Sequence, residues 1–121
     1  MAFSYRNLIV YQRAVQYDEL ASELIPVVRR HDKSLADHLL RSTNSFLTNV
    51  SEGGSEDRPL MKANFYRIAK REAEECALGW DKCLRRGYTP RRQTELALAY
   101  LDECVLMLAA LIRRFDPPET P

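Results

Sequence analysis

The stretch Val10-Tyr11-Gln12-Arg13-Ala14-Val15-Gln16-Tyr17-Asp18-Glu19-Leu20-Ala21-Ser22-Glu23-Leu24-Ile25-Pro26-Val27-Val28 decides the fold class. Val10, Ala14, Tyr17, Ala21, Leu24 and Val28 recur at spacings of four and three, so one face of a helix is apolar along its whole length. The pattern predicts a first helix over 8–30. Pro26 interrupts it, because proline lacks a backbone donor and disfavours the helical conformation at Ile25. The helix is expected to kink there or to end early. The apolar Val27 and Val28 beyond the proline favour the kink.

Outward from that segment the same period returns three times. A second helix is expected over 34–53, with Ser34 as its N-cap, Asp37 three residues on, and Leu35, Leu39, Ser42, Phe46, Val50 and Gly53 on its inner face. Gly53-Gly54 would end it in the left-handed conformation that glycine tolerates. A third is expected over 59–86, opened by Pro59 and closed by Gly87, with Met61, Phe65, Ile68, Glu72, Cys76, Gly79 and Cys83 facing inward. A fourth, over 90–115, is introduced by Thr89-Pro90 and stopped by Asp116-Pro117-Pro118, with Ala97, Leu101, Cys104, Leu108, Leu111 and Phe115 on its seam. The tail, 116–121, is expected to be loose. The connections are short, so neighbouring helices should run antiparallel. The expected architecture is all-α, a single up-down-up-down antiparallel four-helix bundle over residues 1–121.

The fourth helix carries more apolar residues than one seam needs. Leu96, Leu98, Tyr100, Val105, Met107, Ala110 and Ile112 lie off the main stripe. Either the core stripe is wide, or a second face meets another subunit. Self-association is the favoured reading.

Composition sets bounds on function. The formal net charge is +1, so attraction to a polyanion must come from a local cluster. The longest uncharged run of the fourth helix, Cys104 to Ile112, is far short of the ~20 apolar residues that span a bilayer. The opening Met1-Ala2-Phe3-Ser4-Tyr5-Arg6 lacks the basic and apolar blocks of a signal peptide, which points to the cytoplasm. Cys76, Cys83 and Cys104 are expected as buried reduced thiols. The first two sit about 10 Å apart along one helix, too far for a disulfide.

Catalytic signatures are missing. The residues three before His31 and His38 are Val28 and Leu35, so the Glu-x-x-His pairs of a di-iron bundle are lacking, and no metal or cofactor is expected. No phosphate-cradling glycine loop or nucleophile elbow occurs. A polar line of His38, Arg41, Ser45, Asn49 and Glu52 on the second helix faces Glu72 and Glu75 on the third. It reads either as a general-base site or, preferentially, as a structural network in which Arg41 and Asn49 satisfy the carboxylates.

Antiparallel topology brings two loops to one end. The first supplies Arg29, Arg30, His31 and Lys33. The second supplies Lys82, Arg85, Arg86, Arg91 and Arg92, with Tyr88 among them as a surface on which a base can stack. Arginines at helix C-termini are explained by the macrodipole, but Arg91 and Arg92 stand at a helix start, where a cation is slightly unfavourable. The nine residues Arg29, Arg30, Lys33, Lys82, Arg85, Arg86, Tyr88, Arg91 and Arg92 form the candidate nucleic-acid surface. The rival reading is a solvated loop surface diluted by Asp32, Asp37, Asp81 and Glu95.

Several stretches resemble one family. They are Phe3-x-Tyr5-Arg6-Asn7-Leu8-x-Val10-Tyr11-x-x-Ala14, then Leu39-x-Arg41-Ser42, Ser45-x-x-x-Asn49-Val50-Ser51-Glu52-Gly53, Phe65-Tyr66-Arg67-Ile68-Ala69-Lys70 and Ala73-x-Glu75-Cys76. Together they are similar to the four-helix bundles of 23S rRNA intervening-sequence proteins and of the accessory proteins of diversity-generating retroelements. The resemblance implies a ring-shaped homopentamer, and a non-enzymatic accessory role with RNA, DNA or a reverse transcriptase as partner. Two features depart from it: the near-neutral charge, and Arg71-Glu72 where relatives carry Gly-Ser. The alternative function is a protein-interaction scaffold without nucleic-acid binding.

Overall fold

A computed structural model describes residues 3–119, in which four long helices follow a short 3-10 turn, Ser4–Asn7. They are α1 (Ile9–Arg29), α2 (Lys33–Ser55), α3 (Pro59–Arg86) and α4 (Arg91–Phe115). Each packs on its sequence neighbours, and α4 closes the set against α1, giving the antiparallel four-helix bundle. Thr120 and Pro121, the last residues of the expected loose tail, and Met1 and Ala2 lie outside the described residues. Among the described residues no helix is long and apolar enough to cross a membrane.

The α1, α2 and α4 seams follow the spacing of their apolar residues. Every expected inner position of α1 and α2 is buried, as are Ala97, Leu101, Cys104 and Leu108 of α4; Leu111 and Phe115 are half-buried. The α3 seam differs. Its buried residues are Ala63, Tyr66, Ala69, Ala73, Cys76, Gly79, Trp80 and Cys83, while Met61 is exposed and Phe65, Ile68 and Glu72 are only half-buried. Small residues let α3 approach its neighbours closely between the buried Tyr66 and Trp80, and Met61, Phe65 and Ile68 sit on its flank.

Two expected helix ends are also displaced. Gly53 and Gly54 do not terminate α2, which runs through both to Ser55. Their role is space. A Cβ on Gly53 would lie 2.5 Å from Cε1 of the Tyr66 ring, and one on Gly54 would lie 2.7 Å from Cβ of Tyr5 and Cδ1 of Leu8. Pro26 neither ends α1 nor cuts it short of Arg29. At the start of α2 the N-cap is Asp32 instead of Ser34, its carboxylate accepting from the Leu35 backbone N–H at 3.0 Å.

A buried hydrogen-bond chain joins three helices at the centre. Trp80 Nε1 donates to Tyr17 Oη at 2.8 Å, Tyr17 Oη pairs with Thr43 Oγ1 at 2.8 Å, and Thr43 Oγ1 lies 3.6 Å from Cys76 Sγ. Tyr17 and Trp80 bridge the bundle diagonally, from α1 to α3. All three cysteines are free and buried. Burial pushes the Cys83 thiol up to about 11 and that of Cys104 up to about 12, and raises Cys76 as well.

Candidate nucleic-acid interface

Each half of the basic end is built by a helix terminus. At the end of α1 the N–H groups of His31 and Asp32 both reach the Val28 carbonyl at 2.9 Å, which turns the chain tightly. Asp32 then caps α2. At the end of α3, Gly87 takes φ 70° while Tyr88 N–H bonds the Cys83 carbonyl at 3.0 Å and Gly87 N–H bonds that of Leu84 at 3.4 Å. This six-residue closure is a Schellman motif, and it sets the direction in which Tyr88 leaves the helix. Pro90 occupies the N-cap position of α4, one residue later than expected for Thr89. Thr89 Oγ1 instead pairs with Thr94 Oγ1 at 2.6 Å, both side chains buried.

The two loops meet. The His31 and Tyr88 rings are stacked in parallel, with centroids 4.9 Å apart and planes 8° from coplanar. Arg86 reaches Asp32 at 3.7 Å. The cations that sequence order separates therefore share one pole of the bundle.

Their electrostatic states differ. Arg29 pairs with Asp37 at 2.7 Å, and Arg91 with Glu95 at 3.1 Å. Arg86 is held by Asp32. Arg30, Lys33, Lys82, Arg85 and Arg92 have no carboxylate partner among the described residues. Exposed ion pairs are weak, of order 0–1 kcal/mol, so the paired arginines remain open to exchange for a phosphate. Tyr88 is half-buried, and His31 is the exposed ring of the pair. His31 was placed in this loop by the sequence but not among the nine candidate residues. The signal was its place in the loop that topology sets against Tyr88.

The polar line between α2 and α3 is not the network expected. Arg41 bonds His38 Nδ1 at 3.1 Å, and Asn49 bonds the Ser45 carbonyl at 2.8 Å and the Ser45 hydroxyl at 3.3 Å. Neither reaches Glu72 or Glu75. Glu75 faces His38 Nε2 at 3.6 Å, one carboxylate oxygen of Glu72 is buried without a partner, and Glu52 is exposed. Local i to i+3 and i to i+4 bonds within α2 take the donors that the carboxylates of α3 were expected to use. Glu75 instead lines a groove of about 320 Å³ with Asp32, His38, Lys82 and Arg86, on the flank of the basic pole. Among the described residues no cluster of three or more His, Cys, Asp or Glu could hold a metal ion.

The apolar excess of α4 divides in two. Leu98, Tyr100, Val105, Met107 and Ile112 are half-buried against the core, which makes the stripe wide. Leu96 and Leu106 stay exposed, and with Ala99, Glu103 and Ala110 they form a line at heptad spacing. Glu103 on that line is held by Arg13 of α1 at 2.9 Å. Ile9 is exposed at the start of α1, beside an apolar groove of about 410 Å³ lined by Leu8, Met107, Ala110 and Leu111.

Residues 6–110 match the family model described as 23S rRNA-intervening sequence protein. No curated protein matches the chain. Among solved structures the chain is similar to the crystal structure of a Bacteroides thetaiotaomicron protein of unknown function from the S23 ribosomal protein family. The two are 20% identical, the match covers 87% of this chain and 99% of that one, and the TM-score is 0.80. That likeness carries the four-helix fold.

Proposed function

The chain belongs to the 23S rRNA-intervening sequence protein family, and on that premise we propose that it is a non-enzymatic, cytoplasmic, homo-oligomeric accessory protein whose basic pole binds the phosphate backbone of RNA or DNA. One observation carries the reading: two loops distant in sequence are joined at one pole, where Arg30, Lys33, Lys82, Arg85 and Arg92 lack a carboxylate partner among the described residues. Contacts of this kind position a polyanion without reading its sequence. A reverse transcriptase remains the protein partner that the sequence resemblance implies.

Assembly follows from α4. The exposed line of Leu96, Ala99, Glu103, Leu106 and Ala110 offers a second face at heptad spacing, apolar except for Glu103, which Arg13 of the same chain holds, and a homopentameric ring is the form the resemblance implies. Aligning several poles in one ring would raise the effective concentration of the patch and hence its avidity. Catalysis is no part of the proposal.

The test is fluorescence anisotropy of labelled RNA and duplex DNA titrated with the chain at low salt, beside light scattering for the mass of the assembly. Binding at micromolar concentration or tighter, by an assembly of about five chains, is the expected result. An intact assembly that binds neither probe would turn the function to the alternative, a protein-interaction scaffold.

A further inference from the structure

A flat π surface stands at the centre of the basic pole. His31 and Tyr88 come from different loops, yet their rings lie parallel within 8°, with centroids 4.9 Å apart. Tyr88 is half-buried and His31 exposed, so the imidazole is the outer ring of the stack and rests on the phenol. Arg30 precedes His31 in the chain, Lys33 follows two residues on, and Arg86 is tied to the adjoining Asp32 at 3.7 Å. Cations thus flank the stack along both loops, and the plane of the rings is already set.

We propose that the His31–Tyr88 stack is a base-stacking platform, and that the pole takes unpaired nucleotides in preference to duplex. The proposal rests on the phosphate-binding reading of the same pole. In a duplex both faces of an internal base are covered by its neighbours, so a protein ring finds a base only where strands are open. In a single strand the cations hold the backbone while a splayed base lies on the imidazole. Any base has a π-face, so the contact tolerates sequence. The tight turn after Val28 and the Schellman closure at Gly87 hold the two rings in place before a strand arrives, which lowers the ordering cost of binding.

The experiment compares an unstructured mixed-sequence RNA, a single-stranded DNA of the same sequence and the blunt DNA duplex, each titrated with the full chain at one low salt concentration. Wild type is expected to bind the single strands at least about fivefold more tightly than the duplex, as base-aromatic stacking implies. His31→Ala should remove that margin and leave duplex affinity in place, and His31→Phe should restore it. Thermal melting of both variants checks that they fold. Equal affinity for the two single strands assigns recognition to the base, and a margin for RNA adds a 2′-hydroxyl contact; either upholds the platform. Equal affinity for single strands and duplex, or a margin that survives His31→Ala, overturns the platform and leaves the basic pole standing. Failure of wild type to bind any probe overturns both.

Discussion

At Gly53 a missing methyl group is a packing decision. The Tyr66 ring lies where a Cβ would go, and Tyr66 is 1% exposed, so it has little room to retreat. Gly53→Ala gains about 1 kcal/mol of helix propensity, yet overpacking of this kind costs about 1–3 kcal/mol. A net loss of about 1 kcal/mol is expected in urea unfolding; a variant more stable than wild type would mean the ring moves aside freely. The thiols make a second prediction at this scale. Unfolded cysteine ionises near pH 8.5, whereas burial holds Cys83 protonated to about 11 and Cys104 to about 12. Above the unfolded value the unfolded chain has lost protons that the folded chain keeps, so stability must fall as pH rises. The urea midpoint should drop between pH 8 and pH 10, and drop less in the Cys83→Ala/Cys104→Ala variant. A midpoint independent of pH in wild type would contradict the burial of these thiols.

At the scale of elements, α1, α2 and most of α4 were legible because large apolar residues mark their buried faces. Helix α3 was legible in its second half, where Cys76, Gly79 and Cys83 are buried as expected, and not in its first. There the inner positions are Ala63, Tyr66, Ala69 and Ala73, and the alanines carry little hydrophobic signal, while Met61, Phe65 and Ile68 mark the flank. Trp80, the largest fully buried side chain, was missed because a single seam passes through Gly79, whereas both neighbours are buried. The ends of α2 were misread because Gly53 and Gly54 stay helical where Tyr66, Tyr5 and Leu8 pack against them, and because Asp32, two residues before Ser34, caps the helix through the Leu35 N–H. Two predictions belong here. Leu108 is fully buried, so Leu108→Ala should cost about 2–5 kcal/mol in urea unfolding; a cost under 1 kcal/mol would place it outside the core. Leu106 is 65% exposed, so Leu106→Glu should leave the fold intact by circular dichroism and reduce the assembly mass by light scattering. An unchanged mass would remove the Leu96–Leu106 line from the interface.

At the scale of the whole molecule, topology made the pole visible before any side chain was placed. Short connections oblige the α1–α2 and α3–α4 loops to share an end, and the His31–Tyr88 stack and the Arg86–Asp32 pair join them there. Which cations are free was not legible, because Asp32, Asp37 and Glu95 choose their partners through turns and helix register. The candidate polar line failed for a related reason: helical spacing places groups on facing sides of α2 and α3, but Arg41 and Asn49 spend their donors on His38 and Ser45 within α2.

The most direct test of the pole is the slope of log affinity against log salt for an RNA oligonucleotide, measured for wild type and for the Arg30→Ala/Arg85→Ala/Arg92→Ala variant. Each phosphate contact contributes a slope of about −0.7 to −0.9. The variant should bind more weakly whatever the sequence, with a slope shallower by about two to three units. Identical slopes and affinities for the two proteins would mean that these arginines are solvated loop charges, and that the pole is not the site.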